Sequence, residues 1–159
     1  LGGTDWNTVP HREREPSPVS ARILERMAHD YACRGVVRDF SRVDPEARSM
    51  FTLVEPETLP DDAGRAQIEA QVVRLHRLLL NENLPPEDPE IQATVALFEA
   101  ALSTGQRLME EGEVGARPTC SVSRPGPGER ELTQDPDFVV RAWTAVVAYL
   151  LSDARFVME

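Results

Sequence analysis

Proline determines where helices can begin in this chain. Thirteen of its 159 residues are proline, and three follow an aspartate, in Asp44-Pro45, Asp88-Pro89 and Asp135-Pro136. An aspartate side chain accepts hydrogen bonds from the free amides of a first helical turn, and proline suits the first helical position because it has no amide hydrogen to leave unpaired. Ser17-Pro18 likewise places a side chain that can cap a helix directly before a proline. The sequence therefore predicts four helix starts.

Apolar residues recur at helical spacing after these starts. One stripe places its members four residues apart, at Val19, Ile23, Met27 and Tyr31, with Leu24 and Ala28 beside it. This stripe predicts an amphipathic helix from Pro18 to about Cys33, with Gly35 as its stop. Similar patterns predict a short helix and three longer ones, at Pro45 to about Phe51, Asp61 to about Asn81, Pro89 to about Glu111 and Pro136 to about Ser152.

The last predicted helix is apolar on most of its sides, which is typical of a helix at the centre of a fold. Four main helices with such a member predict an all-α fold, an irregular antiparallel bundle. Residues 112–134 hold three prolines and four glycines, so we expect a long loop that is either pinned or mobile. The helical domain is expected over residues 17–159.

Residues 1–16 precede that domain and do not share its pattern. They contain Trp6 and an alternating charge run that includes Arg12 and Arg14. We expect an extended arm that lies over the bundle or over a neighbouring molecule, with Trp6, Arg12 and Arg14 as interaction candidates. A disordered tail is the alternative. The chain begins with Leu1 rather than methionine, which indicates a processed product or a fragment, and no signal peptide is visible.

The charge composition excludes several kinds of chemistry. All 17 basic residues are arginine, so Schiff-base chemistry and a phosphate-binding P-loop lysine are excluded. The formal net charge is −10, and residues 49–113 carry 13 acidic residues against four arginines. Nucleic acid is therefore not an expected partner, because binding to phosphates needs a basic surface. The longest apolar run, residues 138–151, is shorter than the roughly 20 residues that cross a bilayer.

His29 and Cys33 are four residues apart and would project from the same side of a helix. Together with His76 and Cys120 they could complete a metal site, although zinc sites usually show two close ligand pairs. Covalent haem is excluded because Cys33 is not part of a Cys-x-x-Cys-His motif. Non-covalent haem held by His29, His76 or a methionine remains an alternative.

A disulfide between Cys33 and Cys120 is the preferred interpretation of the two cysteines. Cys33 lies at the predicted end of the first helix, and Cys120 lies in the long Pro/Gly-rich loop that most needs pinning. Such a bond would stabilise the fold by closing a long loop in the unfolded chain. It would also indicate an oxidising compartment, the periplasm or the cell exterior.

The sequence lacks familiar catalytic motifs, including Gly-x-Ser-x-Gly, Gly-x-Gly-x-x-Gly and His-Glu-x-x-His. Glu110, Glu111 and Glu113 form an acidic cluster near a helix C-terminus, where a cation or a basic partner could bind. We therefore expect a non-catalytic accessory or interaction module that docks on a protein partner through the N-terminal arm and the 112–134 loop, within a larger extracytoplasmic oligomer or hetero-complex. The alternative is a haem- or metal-binding helical bundle with a redox or electron-transfer role. A third alternative is an enzyme whose residues converge only in space.

Overall fold

A computed structural model describes the backbone of residues 18–153 and the side chains of residues 22–153. Within this range the chain forms four α-helices: α1 (Pro18–Ser41), α2 (Gly64–Leu80), α3 (Pro89–Glu110) and α4 (Val139–Leu151). The only β pairing in the described range consists of two isolated bridges, Arg42–Glu129 and Val122–Leu132. The predicted all-α bundle is confirmed. The predicted arm, with Trp6, Arg12 and Arg14, lies outside the described residues.

Helix α4 lies at the centre, as predicted, and contacts each of the other three helices. Its Trp143 side chain is fully buried. The Trp143 ring lies 4.4 Å from the Phe98 ring of α3 and 5.3 Å from the Phe51 ring, measured between ring centroids. Phe51 belongs to the irregular connection between α1 and α2, so a segment without helical structure completes the core.

Two of the three Asp-Pro pairs cap helical turns as predicted. The Asp88 carboxylate accepts a hydrogen bond from the Glu90 amide at the start of α3. The Asp44 carboxylate accepts one from the Glu46 amide. The helix predicted at residues 45–51 is nevertheless wrong, because only Pro45–Ala47 form a 3-10 turn. The next amides, those of residues 49–51, donate to the buried Asp39 carboxylate instead of to helical carbonyls.

The third Asp-Pro pair does not begin α4, which starts three residues after Pro136, at Val139. The buried Asp135 carboxylate still accepts hydrogen bonds from the amides of Val140 and Arg141. Phe138 occupies the position before the helix with a left-handed φ of 64°. This turn directs the Phe138 ring against Gly105 of α3. Asp135 therefore supplies the predicted capping chemistry from a position outside the helix.

The predicted end of α1 is wrong, because the helix continues through Gly35 to Ser41. A glycine within a helix costs roughly 1 kcal/mol relative to alanine. Burial of Val36, Val37 and Phe40 in the next turns outweighs this cost, since each buried apolar side chain of this size stabilises by about 1.5–3 kcal/mol. Tertiary packing therefore overrides the local stop signal.

The predicted apolar face of α1 is also wrong. The buried side of the helix carries Ala28, Ala32 and Val36, whereas Ile23, Met27 and Tyr31 are exposed. The longer helix explains the difference, because Val36 continues the stripe of Ala28 and Ala32 and brings that side against α4.

The long loop between α3 and α4 is pinned to the bundle at several points. Cys33 and Cys120 form the predicted disulfide, with 5.7 Å between their Cα atoms. The Arg130 amide donates to the Ser41 carbonyl of α1 at 2.6 Å, and Arg141 Nη1 of α4 donates to the Gly115 carbonyl of the loop at 2.8 Å. Across residues 18–153, no helix combines the length and the apolar character needed to cross a bilayer.

Removal of the disulfide is expected to destabilise the fold strongly. The bond joins residues 87 positions apart, and the chain-entropy model gives a stabilisation of about 4 kcal/mol for a loop of this length. Urea unfolding of the Cys33→Ala/Cys120→Ala double variant should show a loss of this order. Added reductant should destabilise the wild-type protein alone, and an equal effect on the double variant would contradict the assignment.

Substitution of Gly105 should also destabilise the protein, because a Cβ there would overlap the Phe138 ring. We expect Gly105→Ala to cost about 1–3 kcal/mol, the usual range for overpacking a core. Gly115→Ala is the matched control, since a Cβ at that position contacts nothing within 4 Å. Its effect on the free energy of unfolding should be within about 0.5 kcal/mol. Equal stabilities of the two variants would contradict the described contact.

Candidate functional site

The outward side of α1 exposes three large apolar side chains on consecutive turns. Ile23 is 38% exposed, Met27 41% and Tyr31 62%. Residues four apart on a helix lie one above the other, so these side chains form a continuous stripe. Isolated exposed apolar residues are common on proteins, whereas an aligned group is typical of a binding surface. We call this stripe, with its exposed neighbours Arg34 and Arg38, the α1 outer face.

A shallow groove of about 870 Å³ continues the α1 outer face toward the α3–α4 loop. Tyr31, Arg34 and Val37 line it on the helix side, and residues 119–122 line it on the loop side. The Cys33–Cys120 disulfide joins the two walls covalently. The groove therefore has a preformed shape, because the bond prevents the loop from leaving the helix.

The charges around this surface are mainly positive. Between residues 22 and 38, α1 exposes four arginines, at positions 22, 26, 34 and 38, and two acidic residues, Glu25 and Asp30. Arg38 forms an ion pair with Glu129 at 3.0 Å and remains 57% exposed. The chain as a whole carries a formal net charge of −10. The α1 outer face itself carries Arg34 and Arg38, with Asp30 beside it, and is thus less acidic than the protein as a whole.

The alternative of a metal site at His29 and Cys33 is excluded, because the Cys33 sulfur is bonded to Cys120. A thiolate is needed for metal coordination, and neither cysteine of this chain is free. His29 is exposed on α1. The disulfide interpretation of the two cysteines is thereby confirmed, and haem binding through His29 or His76 stays a prediction.

His76 is fully buried at the C-terminal end of α2. Its Nδ1 atom lies 3.0 Å from Glu82 Oε2, and its Nε2 atom lies 3.0 Å from Thr94 Oγ1. In the part of the chain that the structure describes, His76, Glu82 and Glu90 are the one group of three side chains placed to hold a metal ion. The cluster does not include His29.

The acidic cluster at the C-terminus of α3 lies on the surface. Glu110, Glu111 and Glu113 are all exposed. Arg107 donates to both carboxylate oxygens of Glu111 at 2.8 Å from one turn earlier. This pair offsets the unfavourable placement of negative charge at a helix C-terminus. Binding of a cation or a basic partner by these residues stays a prediction.

Sequence reasoning missed the α1 outer face, although a signal was present. Ala28, Ala32, Val36 and Phe40 also recur every four residues, and this second stripe identifies the buried side once the helix is extended past Gly35. No comparable signal points to Glu82 and Glu90. They belong to the α2–α3 connection and to the first turn of α3, and only the folding of that connection places them beside His76.

Comparison with protein-family models, with curated proteins and with solved structures finds no match to this chain. Its function is therefore inferred from the geometry and chemistry of its own residues.

The exposure of the α1 outer face predicts how substitutions on the two sides of the helix differ. Tyr31→Ser should change the free energy of unfolding by no more than about 0.5 kcal/mol, because the side chain is mostly in water. Val36→Ala should cost at least about 1 kcal/mol, because Val36 is fully buried. Urea denaturation of both variants measures this contrast. A larger loss for Tyr31→Ser than for Val36→Ala would show that the helix packs through its other face.

Proposed function

We propose that this protein is a non-catalytic interaction module that binds a protein partner through the α1 outer face and its adjoining groove. The exposure of Ile23, Met27 and Tyr31 on consecutive turns carries this proposal. Water contact with an aligned apolar stripe of this kind is unfavourable, and a partner that covers the stripe removes it from water. The disulfide supports the proposal, since it holds the groove in one shape before binding and so reduces the entropy lost on association.

The partner element that fits best is an amphipathic helix with acidic residues beside its apolar stripe. Anchors at spacings of three and four residues match the ridge formed by Ile23, Met27 and Tyr31. Arg34 and Arg38 stand beside this ridge and would attract carboxylates, and Asp30 is the acidic residue next to it.

A second copy of this chain fits the surface less well. Packing α1 against α1 of another copy would place Arg34 and Arg38 of both copies at one interface. The net charge of −10 on each chain would add repulsion at long range. Charge complementarity therefore favours a different protein.

The disulfide also supports a location in an oxidising compartment. Disulfides persist in the periplasm and outside the cell, and they are rare in the reducing cytosol. We propose that the module and its partner meet in such a compartment, within a larger assembly.

The proposal is tested first by placing a photo-crosslinking amino acid at position 27 in the source organism. Exposed Leu78 of α2 is the matched control position, because it has a similar side-chain exposure on another helix. We expect one protein to be crosslinked from position 27 and not from position 78. Crosslinking to a second copy of this chain, or the same products from both positions, would overturn the proposal.

The identified partner is then purified, and its binding to the wild-type protein and to variants is measured by calorimetry. We expect the Met27→Glu/Tyr31→Glu double variant to bind at least tenfold more weakly, because two carboxylates would enter an apolar contact and meet the acidic flanks of the partner. Leu78→Glu, which makes the same change on α2, should bind as the wild-type protein does. Unchanged affinity of the double variant, with its fold verified by circular dichroism, would contradict the assignment of this surface.

A further inference from the structure

A second cluster, separate from the α1 outer face, lies at the corner between α2 and α3. His76 comes from the last turn of α2, Glu82 from the connection, and Glu90 from the first turn of α3. One ring nitrogen of His76 and one carboxylate oxygen from each glutamate lie within 4.8 Å of one another. His76 is fully buried, whereas Glu82 and Glu90 are half-buried, so an ion can reach the cluster from solvent.

The backbone around the cluster holds these groups in place. Asn81 adopts a left-handed conformation with φ 54°, and the Glu82 amide donates to the His76 carbonyl at 3.3 Å. This turn brings the Glu82 side chain back toward the imidazole ring. Glu90 is positioned by the cap of α3, because its amide donates to the Asp88 carboxylate. The three ligand groups therefore lie at, or directly next to, the ends of two helices, which limits their movement.

Hydrogen-bond partners hold both ring nitrogens of His76. The Thr94 hydroxyl lies 2.9 Å from the Glu90 carbonyl and 3.0 Å from His76 Nε2. When the hydroxyl donates to the carbonyl, Nε2 donates to Thr94 Oγ1, and Nδ1 of a neutral ring presents its lone pair toward Glu82.

In that arrangement the Nδ1 lone pair faces another acceptor. Glu82 Oε2 lies 3.0 Å from Nδ1, and two acceptors at this distance need a shared proton or a shared cation between them. A proton joins only these two atoms, whereas a metal ion can bind one atom from each of His76, Glu82 and Glu90 at the same time.

We infer that His76 Nδ1, Glu82 and Glu90 form a binding site for one divalent first-row transition metal ion, with Zn²⁺ as the best-suited probe. Imidazole nitrogen and carboxylate oxygen bind zinc at about 2.0–2.2 Å, which places ligand atoms about 3–4 Å apart around the ion. Thr94 would orient the ring, as hydrogen-bond acceptors for the second nitrogen commonly do in metal sites. Mg²⁺ fits less well, because it prefers oxygen ligands in a strict octahedron.

The inference is tested by calorimetric titration of the full 159-residue chain, with its disulfide intact, against Zn²⁺ after treatment with a chelator. We expect one equivalent of Zn²⁺ to bind and expect no comparable binding of Mg²⁺. Glu82→Gln and Glu90→Gln should each weaken Zn²⁺ binding at least tenfold. Glu87→Gln is the matched control, because Glu87 is an exposed glutamate of the same connection outside the cluster. It should bind Zn²⁺ as the wild-type protein does.

Two further measurements distinguish a metal site from a structural hydrogen-bond cluster. Zn²⁺ should raise the melting temperature of the wild-type protein and of Glu87→Gln, with a smaller rise in Glu82→Gln, because a ligand that binds the folded state stabilises it by mass action. In nitrogen-15 spectra Zn²⁺ should shift His76 Nδ1 while Nε2 keeps its hydrogen.

Three results would overturn the inference. The first is no Zn²⁺ binding to the wild-type protein at millimolar concentration. The second is binding that persists in Glu82→Gln and Glu90→Gln but is lost in His29→Gln, which would assign the ion to the exposed histidine of α1. The third is a hydrogen that remains on His76 Nδ1 in saturating Zn²⁺, which would show that a shared proton accounts for the cluster.

Discussion

Burial of α4 on most of its sides is the constraint on which the rest of the fold depends. The other three helices contact α4 but do not enclose it by themselves. Phe51, from the irregular α1–α2 connection, completes the cover by packing between Phe40 of α1 and Trp143 of α4. The bundle is irregular because non-helical segments must reach its centre.

Segments that reach the core without helical structure carry backbone groups that need hydrogen-bond partners. Three buried charged residues supply many of these partners. Asp39 accepts from the amides of residues 49–51. Arg48, whose side chain is fully buried, donates to carbonyls of the same connection and forms an ion pair with Glu55 at 2.8 Å. Asp135 accepts from the amides of the first turn of α4 in the same way. These buried charged residues stabilise the irregular segments, because their side chains form hydrogen bonds with the backbone groups of those segments.

The same packing explains the α1 outer face. Helix α1 packs against α4 and buries the side that carries Ala32, Val36 and Phe40, which leaves Ile23, Met27 and Tyr31 on the exposed side of the helix. The disulfide then holds the α3–α4 loop beside that side. The candidate surface is thus a consequence of how the core is built, and its large apolar residues are available to a partner.

The sequence by itself determined the features that depend on local chemistry or on composition. Capping by Asp44 and Asp88 follows from neighbouring residues, the central place of α4 from its nearly unbroken apolar pattern, and the disulfide from the presence of only two cysteines. Tertiary structure decided the features that depend on distant contacts. The end and the buried face of α1 required the packing of Val36 and Phe40, which outweighed the glycine signal at position 35. The grouping of His76 with Glu82 and Glu90 required a turn between two helices, because residues without a common helical period meet only when the chain between them folds.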